Sequence, residues 1–423
     1  MQQISYWYSF IHARLPYPVR VLLNILLLPM AIFGAMRAAV SSMAHESSIN
    51  MLTDDELKSA FTFDVLDGDP DAQHVKSEHD HVMALIAERK WRDVGHLIES
   101  HDQARAPLPS GNRLNRMLLA HLQHTALADG PTQFNRTTDA NPVTPFTEAA
   151  LAYPDSYGLA CLAASMHLSV GWRERGHNFA DFTGSGPMDK FTTHLESARA
   201  CVAHLDATAL NAQLVAEIQY QTMIGGDADA QELIGAVDQW GALDPTDLAR
   251  FSRLGIHLLP RWYGDYGFMR ETAQLIYAQT HSRYGAAGYA AFFLQALDTD
   301  EETLAYVDMT LVREGVLDLI QMAPDPDVLC NLICKRLYSI GCKSHSITGA
   351  EETDAILSKR EEVKKTFHSL VRQGLGVVFP DIWTTLCSAT DLRYLLAETF
   401  EGEIMRGCHV HLGAKGAKIT EPE

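Results

Sequence analysis

The sequence predicts an all-α protein, an irregular α-solenoid of stacked helical hairpins with an N-terminal hydrophobic helix, and three observations carry that expectation. Apolar side chains return at every third or fourth position over most of the chain. Pro, Gly and short capping side chains punctuate the pattern where helices would stop and start. No run alternates apolar and polar residues long enough to argue a sheet, so β structure is expected to be minor.

The first element is the apolar one. Between Arg20 and Arg37 lie sixteen residues without a charge, Val21 to Met36. Extended to Ala44, the run approaches the roughly 20 residues that a helix needs to cross a bilayer core. Tyr6, Trp7, Tyr8 and Phe10 precede it, where amphipathic rings settle at a headgroup interface. Residues 1–44 are therefore expected to be a membrane anchor, touching the bilayer over 19–44 and crossing an inner membrane once; a cytoplasmic protein is the alternative. Asn24 and Pro29 interrupt the run, and a buried core helix, an interfacial helix or a signal peptide ending at Ser42-Met43-Ala44 are competing readings. Arg14 and Arg20 before the run, against Arg37 and Lys58 after it, slightly favour the amino end inside and the body outside.

Residues 45–75 are acidic, close at Gly68-Asp69-Pro70 and read as a linker with one short helix at Asp54 to Phe61. Residues 76–298 form the expected helical-repeat domain. Val82, Leu85, Ile86 and Trp91 start the stripe, which Leu159, Leu162, Ala163, Met166 and Val170 continue after the Pro154–Ser156 cap. Further stripes follow at Phe191 to Val202, Leu210 to Met223, Leu233 to Val237 and Phe251 to Leu258, and on to Tyr289 to Leu294. Helix ends at Tyr153-Pro154, Leu205-Asp206 and Asp244-Pro245 fall at unequal intervals. A regular array of about 34 residues per repeat is thus unsupported, and divergent hairpins fit better. Residues 299–410 read as a C-terminal helical subdomain, with a capping box at Thr348-Gly349-Ala350-Glu351, and 411–423 as a flexible tail.

Composition narrows the function. Of 423 residues, 47% are apolar and 21% charged, which leaves ample material for a core. With 34 Lys and Arg against 53 Asp and Glu, the net charge is −19, and the field repels a polyanion. Nucleic acid is not an expected partner. Seven cysteines, an odd number over a long chain, do not describe a small disulfide-stapled fold.

Three segments carry a resemblance. They are Leu168-Ser169-Val170-Gly171-Trp172-Arg173-Glu174-Arg175-Gly176, then Phe191 with His194-Leu195-Glu196-Ser197-Ala198, then Leu259 to Met269. Together they resemble an uncharacterised bacterial family of tetratricopeptide-like helical proteins, one of the domains of unknown function. The resemblance spans roughly residues 76–340 and is sharpest at the Pro-Arg-Trp-x-Gly turn, Pro260 to Gly264. It implies an all-α repeat fold and no assigned reaction. After Trp262 the chain departs from the pattern, with Tyr263, Gly264 and Asp265.

Candidate binding residues cluster at two helix ends. Arg261 and Trp262 sit between Pro260 and Gly264, in a turn that cannot be helical throughout, and an indole beside a guanidinium suits a carboxylate or cation-π corner. Trp172, Arg173 and Arg175 precede Gly176 in the same manner. For both, the competing reading is structural: a Trp plugging a helix junction and basic side chains facing a helix C-terminus. Convergence of Trp172, Arg175, Arg261 and Trp262 with His167 and His194 would favour a ligand or peptide groove.

The best metal-like spacing is Cys330, Cys334, Cys342 and His345; the first two thiols, at i and i+4, share a helix face. Cys330, Cys334 and Leu337 equally describe a core stripe. Cys408-His409-Val410-His411 falls towards the tail, and Glu78-His79-Asp80-His81 reads as a solvated first turn. Phosphate loops, His-Glu-x-x-His, nucleophile elbows and Cys-x-x-Cys pairs are all missing from the sequence. The expectation is a non-enzymatic, membrane-tethered scaffold or binding protein for a protein, peptide or small ligand, without a cofactor and without catalytic residues. The alternative is a metal-binding enzyme or regulator built on the Cys330, Cys334, Cys342 and His345 set.

Overall fold

The computed structural model describes residues 47–127, 142–176, 183–342 and 354–422. Among the described residues the fold is predominantly helical with one small sheet. Helix α1 (Asp54–Ala60) and strand β1 (Phe61–Phe63) come first. Helices α2 (Pro70–Ala87), α3 (Trp91–Ala104), α4 (Leu114–Leu127), α5 (Thr144–Ala152), α6 (Tyr157–Arg175) and α7 (Ser185–Val202) follow. Next are α8 (Gln213–Met223), α9 (Ala230–Leu243), α10 (Ala249–His257), α11 (Tyr266–Tyr284), α12 (Ala287–Thr299) and α13 (Met309–Met322). The chain continues through α14 (Pro326–Cys342), α15 (Asp354–Gln373), α16 (Pro380–Trp383), α17 (Ala389–Ala397) and α18 (Glu401–Ile404), then closes with β2 (His409–Gly413) and β3 (Gly416–Thr420).

Local chemistry accounts for the helix starts. Thr53 and Glu56 form a reciprocal capping box on α1, with the Thr53 N–H donating to Glu56 Oε2 at 2.8 Å. Asp69 caps α2 ahead of Pro70, and Ser156 caps α6 by accepting from the Leu159 N–H. Asp229 with Glu232 repeats the box on α9, and Asp265 caps α11. The predicted capping box at Thr348 to Glu351 lies outside the described residues, as does the expected N-terminal anchor, residues 1–44. Among the described residues no helix is long and apolar enough to cross a membrane.

The described chain divides into two units, with boundaries other than those expected. One holds Gly68–Ile333; the other joins the residues up to Asp67 to those from Cys334 onward. Residues 45–75 are therefore not simply a linker, nor 411–423 a tail. Strand β1 pairs in parallel with β2, Phe61 opposite Val410 and Phe63 opposite Leu412, and β2 pairs antiparallel with β3. Arg393 Nη1 donates to the Phe61 carbonyl at 2.6 Å, and the Phe61 and Phe400 rings pack at 5.8 Å. Pairing with strand residues almost 350 positions away gives the short β1 a ladder it cannot make locally.

In the larger unit two helices are buried on nearly every side. From Tyr157 to Met166 each residue of α6 is buried, and from Ala287 to Leu294 each residue of α12. A helix apolar all round must lie inside a layer of others. Helix α6 packs against α3, α5, α7 and α8, and α12 against α10, α11 and α13. Glycines set the spacing: a Cβ on Gly158 would lie 2.4 Å from the Gly95 carbonyl oxygen where α6 crosses α3, and one on Gly255 would lie 2.0 Å from the Phe292 carbonyl oxygen where α10 crosses α12.

Those approaches give a paired test. Gly255→Ala is expected to destabilise by about 1–3 kcal/mol, because backbone cannot yield as a flexible side chain does. Gly235→Ala, in α9 with nothing within 4 Å of the added Cβ, is expected to stabilise by about 0.5–1 kcal/mol through helix propensity. Urea unfolding of both variants checks this, and equal effects would contradict the packing described.

Candidate functional site

Of the six residues whose convergence would favour a groove, the larger unit brings together five, Trp172, Arg175, Trp262, His167 and His194. Trp172 and Arg175 occupy the last turn of α6, which ends because Gly176 takes a positive φ of 74° and its N–H returns to the Trp172 carbonyl. Phe191 and His194 face them from α7. Gly171 admits that helix: a Cβ there would sit 3.1 Å from the His194 Cβ and 3.4 Å from the Phe191 ring.

Trp262 arrives from the turn after α10. Its N–H donates to the Leu259 carbonyl at 2.8 Å, and the Tyr263 N–H donates to the His257 carbonyl at 3.1 Å. Gly264 is required, because a Cβ there would lie 2.3 Å from the Leu258 carbonyl oxygen. The Tyr263 hydroxyl accepts from the Gly225 N–H at 2.6 Å, tying this turn to the loop after α8. Gly225 itself has a φ of 89°, and a Cβ on it would strike the Phe191 ring at 2.5 Å. The two turns and α7 thus lock one another.

The result is an aromatic corner. The Trp172 and Trp262 rings meet edge to face with centroids 5.8 Å apart, and Phe191 lies 4.6 Å from Trp172. The Arg175 guanidinium carbon stands 5.4 Å from the Trp172 centroid and 6.0 Å from the Trp262 centroid. Trp262 Nε1 is buried and has no acceptor among the described residues. Arg261 does not join: it is exposed, with no hydrogen bond or ion pair among the described residues.

Beside the corner lies a histidine pair. His167 Nδ1 and His194 Nδ1 are 3.0 Å apart, and His167 Nε2 is 3.1 Å from Thr147 Oγ1. The Thr147 hydroxyl donates to the Val143 carbonyl, so it accepts from His167 Nε2–H. His167 Nδ1 is then the acceptor and His194 Nδ1–H the donor. One proton serves the two facing nitrogens, and a second would set donor against donor. Burial, then His194, pulls the His167 pKa down to about 4, and burial lowers that of His194.

Sequence reasoning missed His257 and a buried ionic network. His257 Nδ1 lies 2.7 Å from the Tyr220 hydroxyl, and its ring lies 6.0 Å from Trp262. Burial, then Arg253, brings its pKa to about 3. In the network Arg113 pairs with Asp244 at 2.7 Å, and Arg116 pairs with Glu217 at 2.7 Å and with Asp247. Burial opposes the Arg116 charge, but Asp247 and Glu217 outweigh it and raise its pKa. Asp102, fully buried, accepts from Asn115 Nδ2 and the Leu214 N–H. Burial raises its pKa against the pull of Arg105. The signals available were Glu217 inside the Leu214–Ile218 stripe and Asp102 four residues past Ile98.

The other candidates are dispersed. Among the described residues no three His, Cys, Asp or Glu side chains are placed to hold a metal ion. Cys330 and Cys334 are buried on α14, while the Cys342 side chain and His345 lie outside the described residues. Cys408 precedes β2, and His409 to His411 enter it, where His411 Nδ1 meets Thr62 Oγ1 at 2.9 Å. Glu78 bonds His101 at 3.1 Å, and His79 bonds Thr125 at 2.9 Å.

The His257 geometry has a pH consequence. Burial, then the nearby Arg253 charge, disfavours a protonated ring, so the folded pKa lies below the unfolded value of about 6.5. Its stabilisation is complete above about pH 6.5 and is lost as pH falls towards 3. At pH 5 the loss from this ring is expected to be on the order of 1–2 kcal/mol. Urea unfolding at pH 7.5 and pH 5 measures it, and His257→Gln should flatten the dependence; an unchanged slope would contradict the assignment.

No family, curated protein or solved structure matches this chain.

Proposed function

We propose that the chain is a non-enzymatic scaffold or binding protein, an irregular α-solenoid tethered to a membrane through residues 19–44, that holds a protein or peptide partner at the Trp172–Trp262 corner. The observation that carries this reading is the meeting of two indoles from helix ends 90 residues apart, with Arg175 within 6.0 Å of both ring centroids and Arg261 exposed on the adjoining turn. Half-exposed Trp and Arg are the side chains that dominate binding energy at protein interfaces. They offer large rigid faces and directional donors at little entropic cost.

The chemistry favours a partner that brings oxygen acceptors. Arg175 and Arg261 are cations in a chain of net charge −19, so acidic side chains or carbonyls of an extended peptide suit the corner better than basic ones. Sequential helix packing, α5 on α6, α6 on α7, α8 on α9 and α9 on α10, supports the stacked-hairpin reading, and such stacks offer long binding surfaces. The tetratricopeptide-like resemblance leads to the same proposal and names no reaction.

Affinity capture with the full chain tests the partner. Arg261→Glu, at an exposed position, is expected to weaken retention of the captured partner about tenfold, and Trp262→Phe to do likewise while leaving the helical circular dichroism unchanged. A partner retained equally by both variants would place binding elsewhere. Deletion of residues 1–44 is expected to move the protein from the membrane fraction to the soluble one. Release of the intact protein by salt alone would count against an integral span.

A further inference from the structure

Helices α9, α10 and α11 border a second feature, a cavity of about 250 Å³ whose lining includes Asp238, Arg250, Phe251, Gln279, Arg283 and Tyr284. Arg250 is its unusual member. Its side chain is buried, at 6% exposure, yet it forms no ion pair among the described residues. The acids nearest in sequence are committed elsewhere, Asp244 to Arg113 and Asp247 to Arg116.

What holds Arg250 is main chain. Nη1 donates to the Asp244 and Pro245 carbonyls, at 3.3 Å each, and to that of Asp247. The Phe251 ring lies against the guanidinium, 4.3 Å from its carbon. Nε and Nη2 make no hydrogen bond among the described residues and stay within reach of the open cavity. A buried guanidinium normally fills its donor fork with a carboxylate, because desolvation of an unpaired charge is costly. Burial accordingly lowers the Arg250 pKa, against the fields of Asp247 and Tyr284.

A second donor lacks a partner in the same cavity. The Tyr284 hydroxyl is buried without a hydrogen bond among the described residues, and Arg283 lies beside its ring at 5.1 Å. Two cations against the single acid Asp238 give these groups one net positive charge. The geometry points to a binding site for a small organic carboxylate, held by Arg250, Arg283 and Tyr284.

The carboxylate fits on three counts. Its two oxygens match paired guanidinium N–H groups, one negative charge balances the lining, and the Phe251 ring offers apolar cover for a short carbon skeleton. Phosphate, with more charge at neutral pH, matches less well. The site shares no residue with the Trp172–Trp262 corner, so either assignment stands or fails alone.

Thermal unfolding and calorimetric titration of the full chain with acetate, succinate and benzoate, at fixed ionic strength and with inorganic phosphate as comparator, test this. At least one carboxylate is expected to raise the melting temperature saturably and to bind about tenfold more tightly than phosphate. Arg283→Gln, at an exposed position, and Tyr284→Phe, which keeps the ring, are each expected to weaken binding about five- to tenfold. Arg250→Met should abolish binding, but it also frees three carbonyls, so the other two variants decide the matter if it fails to fold. The assignment is overturned if no carboxylate gives a saturable shift, if phosphate binds as tightly, or if Arg283→Gln and Tyr284→Phe both bind like the wild type.

Discussion

Arg116 is buried between two carboxylates, Glu217 of α8 and Asp247 of the loop before α10, and the arrangement of the larger unit depends on keeping that charge paired. An unpaired charge at such a site costs several kcal/mol, so only arrangements that deliver both acids are tolerated. Arg113 imposes the same requirement through Asp244 and Thr246. Two arginines three residues apart on the α4 segment thereby fix where α8 and the 244–247 loop lie. Apolar packing supplies more free energy but less direction, since hydrophobic contact alone tolerates sliding.

The corner inherits its geometry from that pairing. Glu217 and Tyr220 lie one turn apart on α8, and Tyr220 bonds His257, whose ring touches Trp262. From the other side Arg116 stands 5.3 Å from the Trp240 centroid, and Trp240 lies 6.1 Å from Tyr220. A continuous line of packed rings therefore runs from the ionic network to Trp262 and Trp172. Neutral His257 and the His167–His194 pair sit along this layer, so acid is expected to weaken it. Tight glycine crossings leave little room for the helices to adjust when one of these groups is changed.

Much of this was legible in the sequence because it is local. The helix expected at 54–61 forms at Asp54–Ala60 with its capping box, and Ser156 caps α6 after Pro154. Trp172 and Arg175 stood out because they precede the glycine that ends a helix, and Trp262 because it lies in a Pro-to-Gly turn between helices. Arg261 stands apart from the rings for a simple reason: neighbours in a turn point in different directions, so Trp262 turns inward and Arg261 outward. The sheet was hidden because β1 is three residues long and its partner lies at the far end of the chain. Gly413, Ala414, Lys415 and Gly416 read as tail composition, whereas they turn a hairpin. The ionic network was invisible for a deeper reason. An acid on an apolar face looks like any solvated acid until its cation is located, and Arg116 is 101 residues from Glu217.

That the Arg116–Glu217 pair specifies the larger unit is measured directly by a double-mutant cycle. Arg116→Met and Glu217→Leu, singly and together, are compared by urea unfolding, with the near-ultraviolet tryptophan signal as a report on the ring line. Each single variant is expected to lose about 3–5 kcal/mol, and the double variant to recover at least about 2 kcal/mol of the summed loss. Additive losses, or single variants as stable as the wild type with unchanged tryptophan signals, would contradict it.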